Sequence, residues 1–323
     1  MRNDYARFVD AFDILEPFSG DVPKGFLVDF IGALTDGEFR TMWGIDPETI
    51  GGGHMQTALP DMTWGEGWFE AVGWLEAAKA AKDRYVMVTL GACYGAQAVG
   101  AYKMLQAINP MPAKLVAVEA EPTNYEWVVR HFQDNGIDPK DQWIIKAAIG
   151  ADNEPILFPI GAPGSGAGNC ISTNETLSRD IYANQLIAGG NTKDALRNLI
   201  QTGSTGLQKD LVPGYDFKAE IKFVSAVTLG DVLGPFDVVD YLESDIQQSE
   251  IIVFPPCMDI LKRKVRRVHI GTHGKDVHAE LLALFEADGW DIVFDVPPNT
   301  EHFTQWGNFN INDGILHAVN PTV

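Results

Sequence analysis

The chain has 323 residues, 46% hydrophobic and 21% charged, with 44 acidic against 24 basic side chains and a net charge of −20. That balance excludes a disordered chain, and a surface so acidic repels phosphate backbones and disfavours a nucleic-acid substrate. No apolar run reaches the roughly 18 residues of a membrane span, Met1–Tyr5 lacks the apolar core of a secretory signal, and Cys93, Cys170 and Cys257 form neither a disulfide framework nor a metal spacing, which together indicate a cytoplasmic protein.

Residues 1–83 read as an N-terminal helical extension. A short helical opening is broken at Pro17 and Pro23, and a glycine cluster follows at 51–53. A helix from about Glu66 to Lys82 then carries Trp68, Phe69, Val72, Trp74 and Leu75, which bury it over much of its surface. From Tyr85 strands alternate with helices, the pattern of a parallel sheet, so residues 84–323 form one α/β domain. Its first three strands are Tyr85–Leu90, Lys114–Glu119 and Trp143–Ile149. Helices lie between them over 96–107 and Asn124–Asn135, the second capped by Thr123 and stopped by Gly136.

Residues 159–220 are dense in Gly and Pro, with a weak helix over 178–201, and read as an insertion or lid. Strands Phe236–Glu243 and Val265–Gly271, a helix over 276–288, strand Trp290–Val296, loop 297–314 and strand Ile315–Val319 complete the domain. The last two strands suggest an antiparallel ending to an otherwise parallel sheet with helices on both faces. The basic run Lys262-Arg263-Lys264-Val265-Arg266-Arg267 fits a solvated helix end, with an anion-binding patch as the alternative.

The segment from Val86 to Gly95 joins a parallel strand to a helix through glycines, which lets main-chain amides approach a ligand at the helix amino end. The second strand ends at Glu119, where a carboxylate reaches the ribose hydroxyls of an adenosine-containing cofactor. A dinucleotide asks for G-x-G-x-x-G against its pyrophosphate, whereas the spacing here is Gly91-x-x-x-Gly95. S-adenosylmethionine has no phosphates and tolerates a looser turn, so the sequence favours it.

Three stretches of the chain resemble the FkbM-type family of S-adenosylmethionine-dependent methyltransferases: Leu90–Gly95, Val116–Asn124 followed by His131–Gly136, and Val227–Leu233 leading into Val239–Glu250. The likeness covers roughly residues 85–319 with a gap over the insertion, and it implies a Rossmann-like class I methyltransferase domain. It also implies that Gly91, Ala92 and Gly95 line the methionine side of the cofactor. Glu119 with Ala120 would hold the ribose, and Lys146 with Ala147 would lie near the adenine. Asp245 would sit beside the transferred methyl group. The chain departs from the family at Thr89, where an acid is usual, at Cys93 and Gln248, where glycines are usual, and at Glu243, where a lysine is usual. Thr89 retains a hydroxyl to bond the cofactor's amino group.

Methyl transfer to oxygen needs an acceptor in line with the sulfonium and a base for its proton. Asp245 and His273 are the catalytic candidates, His273 because it lies just past the fifth strand at the ligand end of an open sheet. His269 reads as a packed core histidine. Loop 297–314 hangs over the same end, and His302, Trp306, Asn308, Asn310 and Asp313 offer a lining for a sugar-like acceptor. Asp245, His273 and Asp313 do not form a metal motif, and Asn169–Ser172 resembles a polar stretch that lies next to the cofactor in related chains. The expected activity is O-methylation of a sugar or other small polar metabolite, with a small-molecule or glycan acceptor as partner and homo-oligomer formation left open. The alternatives are a non-catalytic cofactor-binding relative, suggested by Thr89, Glu243 and Gln248, and an NAD-dependent oxidoreductase, which shares only the sheet topology.

Overall fold

In chain order, four short strands, β1 (Ser19–Val22), β2 (Phe26–Val28), β3 (Leu34–Asp36) and β4 (Gly53–Gln56), precede helix α1 (Glu66–Ala80) in a computed structural model that describes residues 2–160, 220–247 and 249–323. The extension expected to be helical is thus mostly short strands and 3-10 turns. Pairings of three or four residues are too brief to leave an alternating pattern in sequence. The extension shares a core with the sheet and α1: Phe8, Phe12 and Phe30 pack in one cluster with Trp68, Phe69, Tyr85 and Phe294.

The alternating region begins with β5 (Tyr85–Leu90), α2 (Ala96–Ile108), β6 (Ala113–Glu119), α3 (Pro122–Asp134) and β7 (Trp143–Lys146). The expected third strand breaks at Ala147, and β8 (Ala148–Gly150) leaves the main sheet to pair in parallel with β11 (Ala226–Thr228). Between these lie β9 (Ile156–Ile160) and β10 (Glu220–Val224), which pair antiparallel. The weak helix expected over 178–201 falls outside the described residues. Next come α4 (Leu229–Leu233), β12 (Tyr241–Ser244), α5 (Glu250–Val253), α6 (Met258–Lys264), β13 (Arg267–Thr272), α7 (Lys275–Ala287) and β14 (Asp291–Val296).

Loop 297–314 contains a hairpin, β15 (Thr300–Thr304) with β16 (Gly307–Ile311), before the final strand β17 (Gly314–Val319). The strand expected over Phe236–Glu243 is shorter because the Asp240 side chain is used where a ladder would run. It accepts from the Val86 amide at 2.8 Å and pairs with Arg266 at 2.6 Å.

The main sheet has seven strands in the order β14-β17-β13-β12-β5-β6-β7. Pairs β13/β12, β12/β5, β5/β6 and β6/β7 are parallel, and β17 runs antiparallel to both its neighbours. Counted along the chain this is 6-7-5-4-1-2-3 with strand 7 reversed, the Rossmann-like methyltransferase fold. Every residue of the central β5 is buried, as a parallel strand covered on both faces requires. Strand alternation divides the core in two, Tyr85, Met87, Tyr241 and Phe294 facing α1 and α2, and Val86, Val88, Leu242 and Val268 facing the other layer. Close approach of α1 depends on two glycines. A Cβ at Gly73 would overlap the Tyr241 hydroxyl, and one at Gly100 in α2 would overlap the Trp74 ring.

Candidate functional site

The turn after β5 is held by main-chain bonds of its own. Gly91 and Ala92 both donate to the Val118 carbonyl at 3.0 Å, and Cys93 donates to Glu119 Oε2 at 2.7 Å. The Gly91, Ala92 and Cys93 amides are therefore engaged within the protein. Gly91 has φ +75°, and a Cβ there would collide with the Asp245 carbonyl oxygen, so its role is to let β12's exit cross the turn. Gly95, at φ +85°, packs against Val128 and Phe132 of α3. Cys93, where the resembling family has glycine, takes a positive φ of 52°. A turn with its amides spent, set among carboxylates, suits a cationic ligand group better than a phosphate.

Glu119 ends β6 with only 6% of its surface exposed. Its Oε1 accepts from the Glu121 amide at 2.8 Å and its Oε2 from Cys93, which leaves lone pairs on both oxygens for a pair of hydroxyls. Burial pushes its pKa up to about 7, with the Glu121 and Cys93 amides pulling the other way. The next helix starts earlier than expected. Pro122 occupies its first turn and the Glu121 carboxylate, not Thr123, caps it by accepting from the Asn124 amide at 2.7 Å.

Lys146 turns outward, with its ammonium 3.7 Å from Glu126 and 5.0 Å from the centre of the Tyr125 ring. Ala147 donates to the Glu119 carbonyl at 3.1 Å, and Ala120 packs with Ala148 and Phe158 in a small apolar cluster beside it.

Thr89 and Glu243 are in register across β5 and β12, and the threonine hydroxyl donates to the glutamate carboxyl. The two residues, both of which differ from the resembled pattern, are therefore hydrogen-bond partners. Burial holds Glu243 well above the usual carboxylate range, against the Thr89 hydrogen bond.

Asp245, His273 and Asp313 come together at the same edge. His273 Nε2 lies 3.2 Å from Asp245 Oδ1 and 3.6 Å from Asp313 Oδ1, while its Nδ1 is 3.7 Å from Glu250 Oε1. Burial alone would lower the His273 pKa, but hydrogen bonds and charges from Asp245 and Glu250 overcome it and push it up to about 11. That shift favours the imidazolium, which lies between Asp245 and Asp313, with the Gln247 side-chain nitrogen also 2.7 Å from Nε2. Asp313 is positioned by its amide, which donates to Glu66 Oε1 of α1 at 3.0 Å. His269 is buried beside His317, their ring centres 5.8 Å apart, and burial lowers its pKa to about 4.

The remaining residues of the expected acceptor lining sit elsewhere on the hairpin. His302 stacks on Phe309 with ring centres 4.8 Å apart, Trp306 lies at the hairpin tip, and Asn308 and Asn310 are exposed. Asn169–Ser172 and Gln248 lie outside the described residues. Among the described residues no group of three His, Cys, Asp or Glu converges as a metal site, and no helix is long and apolar enough to cross a membrane.

A cavity of about 350 Å³ opens beside the glycine turn, under the β2–β3 hairpin, and none of the expected acceptor residues lines it. Its walls include Trp64, Glu70, Trp74, Tyr94, Gln97 and Arg40. Trp74 Nε1 donates to Gln97 Oε1 at 2.9 Å, which turns the Gln97 amide nitrogen toward the Glu70 carboxylate. Burial raises Glu70 to about 7, opposed by that Gln97 contact. The sequence signal for Glu70 is an acid between Phe69 and Ala71–Val72, one turn before Trp74, in a helix otherwise buried on most sides.

Neither a family model nor a curated protein sequence matches the chain. Among solved structures, it is similar to a precorrin-6Y C5,15-methyltransferase from Geobacter metallireducens, at 9% identity over 81% of this chain and 91% of that one, with a TM-score of 0.39. It is also similar to the methyltransferase FkbM from Methylobacillus flagellatus, at 12% identity over 77% of this chain and 47% of that one, TM-score 0.40. A third is Aeropyrum pernix fibrillarin with bound S-adenosyl-L-methionine, at 10% identity over 83% of this chain and 79% of that one, TM-score 0.33.

Proposed function

We propose that the chain is an S-adenosylmethionine-dependent methyltransferase of FkbM type, acting in the cytoplasm on a hydroxyl of a sugar or other small polar metabolite. The observation that carries this reading is Glu119, a buried carboxylate at the end of the second strand with lone pairs free on both oxygens beside an acidic turn. That donor set fits a ribose diol next to a cationic sulfonium. With the Gly91, Ala92 and Cys93 amides engaged and the Glu119 carboxylate against them, the turn is a poorer cradle for a pyrophosphate, which counts against a dinucleotide.

Bound S-adenosylmethionine supplies an electrophilic methyl group. Glu119 would accept the ribose hydroxyls, and Asp245, 3.2 Å from His273 Nε2, would supply negative charge toward the sulfonium. Glu70 takes the proton from the acceptor hydroxyl, because its carboxyl has its pKa near the working pH and projects into the cavity between Trp64 and Trp74. Those indoles supply flat apolar walls for the ring face of a sugar.

Incubation with methyl-labelled S-adenosylmethionine and a panel of sugars and polyols tests the assignment. Label is expected on an acceptor oxygen. Glu70→Gln is expected to keep cofactor binding by calorimetry while lowering transfer by about 100-fold. Label found only on amines, or full transfer by Glu70→Gln, contradicts the hydroxyl chemistry.

A second reading, a cofactor-binding relative without turnover, draws on the hydrogen-bonded Thr89–Glu243 pair, which stands where the resembled family has an acid and a lysine. It is distinguished by cofactor binding without label transfer to any acceptor.

A further inference from the structure

The basic run at 262–267 is largely consumed by the fold. Lys262 pairs with Asp288 at 3.2 Å, Lys264 donates to the Gly234 carbonyl at 2.7 Å, and Arg266 pairs with Asp240 at 2.6 Å. Arg267 is different. It starts β13 opposite Val319, is half-buried, and its guanidinium has no ion pair or hydrogen bond among the described residues. Burial lowers its pKa, with Glu76 the nearest opposing charge. Glu76 is itself occupied by Arg7 at 3.4 Å and Lys79 at 3.5 Å.

Arg267 lies on the wall between two cavities. The larger, about 250 Å³, is lined by Lys82, Arg266, Arg267 and Asn320 with no aspartate or glutamate side chain. The smaller, about 150 Å³, reaches inward to His317, whose Nδ1 is buried without a partner, although Glu76 and Asp291 also line it. The Tyr85 and Tyr241 hydroxyls, within electrostatic reach of Arg267, are likewise fully buried and unpartnered. A partly buried guanidinium is strongly stabilised by a bidentate oxyanion, and a cavity lined by Lys82, Arg267 and the Asp240-paired Arg266 with no acid in its wall stands out on a chain of net charge −20.

We infer that the amino-terminal end of the sheet holds a second ligand site, for a phosphate dianion either free or as a phosphomonoester, centred on Arg267 with Lys82 and Arg266. It lies at the opposite end of the strands from the glycine turn, about 20 Å away by the length of β5. Binding there does not depend on the methyltransferase reading.

The test is calorimetry and thermal unfolding of the full chain in a phosphate-free buffer, titrated with inorganic phosphate and with glucose 6-phosphate at constant ionic strength. Saturable one-to-one binding is expected, weakened about tenfold or more in Arg267→Gln and several-fold in Lys82→Gln. Equal affinity for the two ligands assigns the site to the phosphate group alone, and tighter binding of the sugar phosphate assigns it to an ester. A response no larger than that to sodium chloride, or binding unchanged in both variants, overturns the inference. Lys82 is exposed, so its variant keeps the test valid if Arg267→Gln does not fold.

Discussion

Gly91→Ala is expected to lower the unfolding free energy by about 3 kcal/mol, through a left-handed backbone and a collision acting together. At φ +75° an alanine costs about 1 kcal/mol relative to glycine. Its Cβ would also meet the main-chain oxygen of Asp245, which cannot rotate away because the Asp245 amide is tied to the Leu90 carbonyl at 3.0 Å. Displacing β12's exit adds roughly 1–3 kcal/mol of overpacking and moves Asp245 and His273 with it. Gly136 is the internal control. It has nearly the same φ, +74°, with nothing within 4 Å of the added carbon, so Gly136→Ala carries the backbone cost alone. Urea midpoints of the two variants decide the matter, and equal losses would show that the contact at Gly91 is not limiting.

Stability is expected to fall as pH rises from 6.5 to 8.5, by about 2 kcal/mol from His273 alone. The folded imidazole titrates near 11 and the unfolded one near 6.5, so the stabilisation is complete below 6.5 and is lost as pH climbs toward the folded value. Glu70 and Glu119, both raised to about 7 by burial, contribute in the same direction up to neutrality, because the folded state holds protons that the unfolded chain has released. Below 6.5 the sign is contested. His131 and His269, lowered to about 4 by burial, and His317, lowered further, lose stability on acidification, while the buried carboxyls gain it. A plateau near pH 5–6.5 with a decline above it is the expected thermal profile. His273→Gln is expected to flatten the decline, and a profile that rises toward pH 8.5 would contradict the raised pKa of His273.

Much of the sheet was legible because parallel strands buried on both faces read as short apolar runs, as at Tyr85–Leu90 and Val116–Val118. The reversed last strand followed from two strands in succession with no helix between them. The hairpin at 300–311 was not legible, since His302, Asn308 and Asn310 make it polar and its tip, Thr304–Gly307, lacks the usual two-residue glycine turn. Helix α3 starts at Pro122 because a glutamate two residues past Glu119 serves as cap, a role more common for Ser, Thr, Asp or Asn.

Within the candidate site, Glu119, Asp245 and His273 could be named from strand ends and Asp313 from the loop over the same edge, because topology puts strand ends together. The coupling of Thr89 to Glu243 joins residues 154 positions apart and needs the register of two strands. Glu70 needs more still, the approach of α1 to α2 through Gly100 and the cover supplied by β2 and β3, none of which has a local pattern. The surroundings of His273 were not legible for a similar reason, since Glu250 and Asp313 reach it from different elements.

The central claim, that Glu119 anchors an S-adenosylmethionine site, is tested most directly by calorimetric titration of the full chain and of Glu119→Ala with S-adenosylmethionine. One-to-one binding is expected in the parent chain, and removal of a charge-assisted contact worth about 1.5–3 kcal/mol should weaken it roughly 10- to 150-fold in the variant. Absence of binding in the parent, or equal affinity in both proteins, would contradict it.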